Sequence, residues 1–93
     1  MLQTAQEKRK KMKLIREAIL DFLKLLEGEG YFSGYTLCMY VNDVLKMRGM
    51  SAMHGTILRA MRELREKGKI AYTCVDFPHS VYKLQAIKEV KDE

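Results

Sequence analysis

An α+β fold, mainly α with a small β-hairpin, is predicted for this 93-residue chain. Three observations predict it. Apolar residues recur at helical spacing in three separate segments, and a glycine stands where each segment should stop. After Gly68 the pattern changes to two short runs of β-formers around a turn that holds the chain's single proline. Length leaves no room for a second core, so residues 1–93 read as one domain. At 47% hydrophobic and 31% charged, the composition excludes a disordered chain.

The elements follow in order. Thr4 and Glu7 fit a capping box that starts a helix near residue 5. Met12, Ile15, Ile19, Phe22 and Leu26 then recur at steps of three and four, with Ala18 and Leu23 broadening the stripe. The long N-terminal helix is thus expected over about 5–27, stopped by Gly28 and Gly30. Its KRKKMK stretch has too few apolar residues for a core and reads as a solvated basic end or half of a dimer contact. A second helix runs from about Ser33 or Tyr35 to Met47, with Leu37, Val41, Val44 and Leu45 inward and Gly49 as its stop. Ser51 is the expected N-cap of a third helix over 51–67. There Ile57, Leu58, Met61 and Leu64 cluster on one side, opposite Gly55, Thr56, Arg59, Arg62, Glu63 and Glu66, and Gly68 is placed to end it. Strands at Lys69–Val75 and Ser80–Gln85 flank the tip Asp76-Phe77-Pro78-His79, and Leu84, Ile87 and Val90 suggest a final helical turn in the short tail 86–93. A helix-turn-helix over about 34–67 followed by a hairpin over about 69–85 is the pattern of a winged helix-turn-helix.

Charge is concentrated on the segment such a fold presents to duplex DNA. Of a net +5, residues 46–69 alone supply +5, with seven Lys/Arg against two Glu; the other segments nearly cancel. A merely solvated surface mixes its signs more evenly. A helix enters the major groove with its N-terminal residues at the base edges. Ser51, Ala52, Gly55 and Thr56 form a small, polar lead-in for that approach, Arg59 is placed for a bidentate contact to guanine, and Arg62 for phosphate. His54 sits between the outer and core faces, where it caps or packs as readily as it reads DNA. At the wing, His79 and Lys83 are candidates for minor-groove or phosphate contact, although Asp76 opposes it and Lys83 also reads as a solvated strand residue. The cluster Lys8, Arg9, Lys10, Lys11, Lys13 and Arg16 is a solvated helix end or a grip on flanking phosphates.

Other function classes find little support. His54 and His79 are the only histidines and no acid-rich motif accompanies them, so no enzyme is expected. GEGYFSG has the wrong spacing for a dinucleotide fingerprint, follows a helix instead of a strand and lacks a phosphate-binding lysine. Cys38, Cys74, His54 and His79 have no metal-ligand spacing. No cofactor or metal is therefore expected. Apolar runs are too short to span a membrane, and no apolar stretch follows the basic N-terminus as a signal peptide requires; an intracellular location is expected. Cys38 and Cys74 would be reduced in an ordinary cytosol. Few amides beside abundant Lys and Glu lean toward a hyperthermophilic host, where an intrasubunit or intersubunit disulfide is permitted, while seven methionines lean the other way. Cys74 alternates with Ile70 and Tyr72 and so shares their strand face. Met47, Met50, Met53 and Met61 read as core filler, and Met39, on the outer side of its helix, as an interface residue.

Gly34-Tyr35-Thr36-Leu37 after a Leu-rich helix resembles the GYxL element of PadR-type winged-helix regulators. Gly55-Thr56-Ile57-Leu58-Arg59-Ala60-Met61, then Leu64 and Gly68-Lys69-Ile70, resembles their GT(L)YRAL…L…GLI signature, and Tyr82-Lys83-Leu84 the YxL of their second wing strand. The similarity covers about residues 18–85, and the MarR-like group fits nearly as well. The resemblance implies homodimers that place two recognition helices in successive major grooves to regulate transcription, with Thr56 and Arg59 facing DNA. Leu58 stands where the family usually has Tyr, and no long C-terminal dimerisation helix matches. The homodimer is then expected through the N-terminal helix, with no small-molecule effector. Length and composition also resemble small winged-helix proteins of archaeal viruses. The expected function is sequence-specific binding of double-stranded DNA; the alternative is a protein–protein interaction or assembly module with a basic face.

Overall fold

The computed structural model describes residues 5–26 and 30–88. Its elements are α1 (Ala5–Lys24), β1 (Tyr31–Ser33), α2 (Gly34–Lys46), α3 (His54–Glu66), β2 (Ile70–Asp76) and β3 (Val81–Ile87). The strands form one antiparallel sheet in the order β1-β3-β2. The result is a small α+β fold with a three-helix layer against a three-stranded sheet. Thr4, Gly28 and Val90 lie outside the described residues.

The helical stripes seen in the sequence build the core. Ile15, Ala18, Ile19, Phe22 and Leu23 of α1 are buried with Leu37, Cys38, Val41 and Leu45 of α2 and Ile57, Ala60, Met61 and Leu64 of α3. The sheet adds Phe32, Ile70 and Tyr72. Aromatic contacts run across the layers: Phe22 meets Phe32 edge-on at 6.0 Å, Phe32 stacks on Tyr82 at 5.4 Å, and Tyr82 meets Tyr72 edge-on at 5.5 Å. On α1 the outward residues Lys8, Arg9, Lys10, Lys13, Glu17 and Asp21 are exposed, while Met12 and Leu14 pack half-buried against the core. The apolar stripe of α1 is thus used within the chain, and its free face is charged.

Helix ends follow local chemistry. Ser33 caps α2, its hydroxyl accepting the Thr36 N–H at 3.1 Å. Gly68 (φ +77) ends α3 in a left-handed turn that few other residues adopt without strain. Around it the Gly68 and Lys69 N–H groups donate to the Arg65 and Leu64 carbonyls at 2.9 Å each. Gly49 (φ +72) repeats the arrangement after α2, with Met50 N–H donating to Leu45 C=O at 2.9 Å.

Four expectations need correction. The sheet has a third strand, β1: three residues are too few to show a period of two, and it pairs only through long-range register, Tyr31 opposite Lys83 and Ser33 opposite Val81. Ala86 and Ile87 continue β3 instead of starting a helical turn, because they pair with Ala71 and Ile70, and Lys88 N–H donates to Lys69 C=O at 2.7 Å. Met47 and Met53 are strongly exposed, not core filler, since each stands outside its helix where the periodicity no longer applies. The third helix begins at His54 with Met53 as N-cap and no side-chain cap, so Ser51 is not its cap.

Candidate nucleic-acid interface

The late start of α3 has a specific cause. Asn42, on α2, accepts the Ala52 N–H at 2.8 Å through Oδ1 and donates to the Ala52 carbonyl at 3.0 Å through Nδ2. A side-chain amide that takes both backbone groups of one residue holds it outside a helix. Ser51, Ala52 and Met53 therefore form a pinned lead-in, and the first helical bonds run from Thr56 and Ile57 N–H to Met53 C=O at 3.0 and 3.1 Å. Asn42 is also tied to its own helix through the Cys38 carbonyl at 3.3 Å.

Beyond this entry, Ile57, Ala60, Met61 and Leu64 turn inward, which leaves Gly55, Arg59, Arg62 and Glu66 along the outer face. Thr56 and Glu63 border it, half-buried. An added Cβ at Gly55 would meet nothing within 4 Å, so the outer face is open there. Among the described residues neither Arg59 nor Arg62 pairs with a carboxylate, so Glu63 and Glu66 do not neutralise them. α3 thus presents two unpaired guanidiniums.

The hairpin tip is fastened beside α3. Gly34 N–H donates to Ser80 C=O at 2.8 Å, and a Cβ on Gly34 would stand 3.3 Å from Leu58 Cδ2 and 3.5 Å from Ser80 Cβ. The start of α2, the flank of α3 and the hairpin therefore meet at one glycine. Two hollows result. One, of about 220 Å³, is lined by Tyr35, Cys38, His54, Leu58, His79 and Ser80. The other, of about 250 Å³, is lined by Leu58, Met61, Arg62, Arg65, Tyr72 and Cys74, with Phe77 at the tip.

The predicted site residues divide accordingly. Gly55, Thr56, Arg59 and Arg62 share one helix face, and Ser51 and Ala52 lead into it. His54 is exposed and meets Tyr35 edge-on at 6.1 Å. His79 reaches the same hollow, but its Nδ1 is engaged by Asp76 Oδ2 at 3.0 Å. Lys83 is not brought to this face: its ammonium lies 5.5 Å from the Tyr31 ring, across the β1–β3 pairing. Alternation along β3 turns Lys83 outward once Tyr82 packs inward on Phe32 and Tyr72.

The cysteines are free, so no disulfide joins Cys38 to Cys74 within the chain. Cys38 has no exposed surface; burial pushes its thiol pKa up, and Sγ contacts the His54 carbonyl at 3.9 Å. Within this chain Cys38 has no surface to offer a second copy. Cys74 alone is exposed.

Residues that sequence reasoning passed over complete the face. Asn42 gave no motif, only the oddity of an amide on a half-apolar helix. Arg65 was legible as a further basic residue three positions after Arg62; its guanidinium sits 4.6 Å from the centre of the Tyr72 ring. Tyr72 Oη is buried with no hydrogen-bond partner, and burial is the main cause that raises its pKa, with Arg65 working against it. An unsatisfied buried hydroxyl costs about 1–3 kcal/mol. Tyr72→Phe is therefore expected to leave stability unchanged or raise it by about 1 kcal/mol, read as the urea midpoint at constant m-value; a clear loss would mean that the hydroxyl has a partner in solution.

Comparison with protein-family models, with curated proteins and with solved structures finds no match to this chain.

Proposed function

We propose that this chain is a winged helix-turn-helix protein that binds double-stranded DNA, with α3 in the major groove and the β2–β3 hairpin as a wing beside it. The observation that carries the reading is the outer face of α3. Its arginines are unpaired, its first turn is open at Gly55, and its entry is held by Asn42. A helix with a small, pre-set N-terminal turn and free guanidiniums suits approach to base edges and phosphates. The +5 balance of residues 46–69 supports the same partner. Regulation of transcription by a PadR- or MarR-like homodimer is the biological role proposed, with half-sites about 34 Å or a multiple of it apart. Among the described residues the free face of α1 is mainly charged, so light scattering at several concentrations is part of the test.

The experiment is anisotropy of a random duplex pool against wild type and Arg59→Ala at low and near-physiological salt, with sequencing of the bound fraction. Wild type is expected to bind with strong salt dependence and to enrich a two-fold-related motif. Arg59→Ala is expected to cost about 1–3 kcal/mol on that motif and to relax its preference. Equal preference in the two proteins would remove Arg59 from the reading set. A second reading is favoured by one observation: Tyr35, Met39 and Met53 are exposed large hydrophobics on α2 and the α3 lead-in. They suit a protein partner of acidic, apolar character. Failure to bind duplex even at low salt would put that reading first.

A further inference from the structure

We propose that Phe77, with Pro78 beside it, is an apolar wedge that enters the minor groove of a bound duplex and unstacks a base step there. The inference rests on the DNA-binding reading and goes beyond it, because it assigns the hairpin tip a part in shape readout that neither His79 nor Lys83 supplies. Phe77 is 83% exposed, the most exposed aromatic side chain among the described residues. Exposure alone assigns no role to a ring; what singles out Phe77 is that it stands on a braced turn beside the hollow that holds Arg62 and Arg65.

The ring is displayed on a braced turn. Ser80 N–H donates to Phe77 C=O at 3.1 Å, and the turn closes through Ser80 at φ +52, a left-handed conformation seldom taken by residues other than glycine. His79 holds Asp76 across the base of the turn at 3.0 Å, and the Ser80 carbonyl is fixed by Gly34 N–H at 2.8 Å. The backbone of the tip is thereby tied to the start of α2 and closed on itself.

Charge indicates nucleic acid as the occupant. The hollow between the tip and α3 carries Arg62 and Arg65 on its α3 wall and Leu58 and Met61 beside them. With α3 in a major groove and the tip in the neighbouring minor groove, the strand between the grooves crosses this hollow and its phosphates meet both guanidiniums. Apolar side chains inserted from the minor groove, flanked by cationic phosphate contacts, are the arrangement by which proteins kink duplexes. A second copy of the chain is a poorer occupant, since it carries the same +5 charge to the same arginines.

The test uses the full chain and duplexes that carry 2-aminopurine at successive T–A steps, the steps most easily unstacked. Wild type is expected to raise the fluorescence at one step and to bend the duplex, seen as energy transfer between end labels. Phe77→Ala should abolish both signals and bind roughly tenfold more weakly, whereas Phe77→Leu, still a wedge, should keep them. Arg59→Ala should weaken binding yet give the full fluorescence rise at saturation. Salt-dependent binding by wild type with no fluorescence rise at any step overturns the wedge and leaves DNA binding intact. Absence of duplex binding at low salt removes the DNA reading and the wedge together. A change in oligomeric mass on Phe77→Ala, with DNA affinity unaltered, would make the tip a protein contact and overturn the proposal.

Discussion

Replacement of Asn42 by alanine is expected to destabilise the chain by about 2–3 kcal/mol and to loosen the first turn of α3. The amide joins the Ala52 N–H and C=O and the Cys38 carbonyl to one side chain. Truncation leaves Ala52 with both backbone groups short of a partner in a half-buried position. Water reaches part of that space, which keeps the cost below the sum of fully buried losses. Asn42→Asp should be no milder, because it keeps the acceptor for Ala52 N–H but turns a donor into a charge beside two carbonyls. Urea unfolding gives the stability. Hydrogen exchange at Gly55, Thr56 and Ile57 gives the local effect, expected as faster exchange in the variant than global destabilisation alone explains. An unchanged urea midpoint would mean that the lead-in holds its shape without Asn42.

The largest effect is expected for Ile19→Ala, a loss of about 2–5 kcal/mol. Ile19 has no exposed surface and lies in the buried stripe of α1 that meets α2 and α3. A domain of this size has a total stability of about 5–15 kcal/mol, so the variant approaches the limit of folding at ordinary temperature. The result also separates two roles for α1. As a core element, α1 gives a midpoint lowered by the same amount at every concentration relative to wild type. Were Ile19 instead a dimer contact, the difference from wild type would itself change with concentration. Circular dichroism melts at two concentrations distinguish them.

Much of the fold was legible because its helices obey a single period. Among the described residues every buried position of α1, Ile15, Ala18, Ile19, Phe22 and Leu23, falls on the stripe read from spacing, and Gly49 and Gly68 end their helices through left-handed turns. What was missed depends on contacts distant in sequence. β1 exists because β3 pairs with it, and Ala86 and Ile87 are strand because β2 pairs with them. The register shift that leaves Gln85 of β3 without a partner also blurs the alternation that would have carried the strand to Ile87. At the candidate site, Gly55, Thr56, Arg59 and Arg62 were placed on one face by periodicity alone. Lys83 was misplaced because a two-stranded reading of the hairpin gave it no neighbour, whereas β1 sets Tyr31 beside it. The start of α3 was misjudged because Ser51 is a good cap by type, and nothing local reveals that an amide ten residues before Ala52 holds the backbone extended.

The junction at Gly34 has a kinetic consequence. The start of α2, Leu58 of α3 and Ser80 of the hairpin are joined there by one hydrogen bond and close contact, and Asn42 joins α2 to the lead-in. The helix pair and the hairpin are thus joined to one another in the folded chain. A partner that fits this face meets it already ordered, so little conformational entropy is lost on docking. Its arrival is then governed by diffusion and charge, not by the time a loop takes to fold.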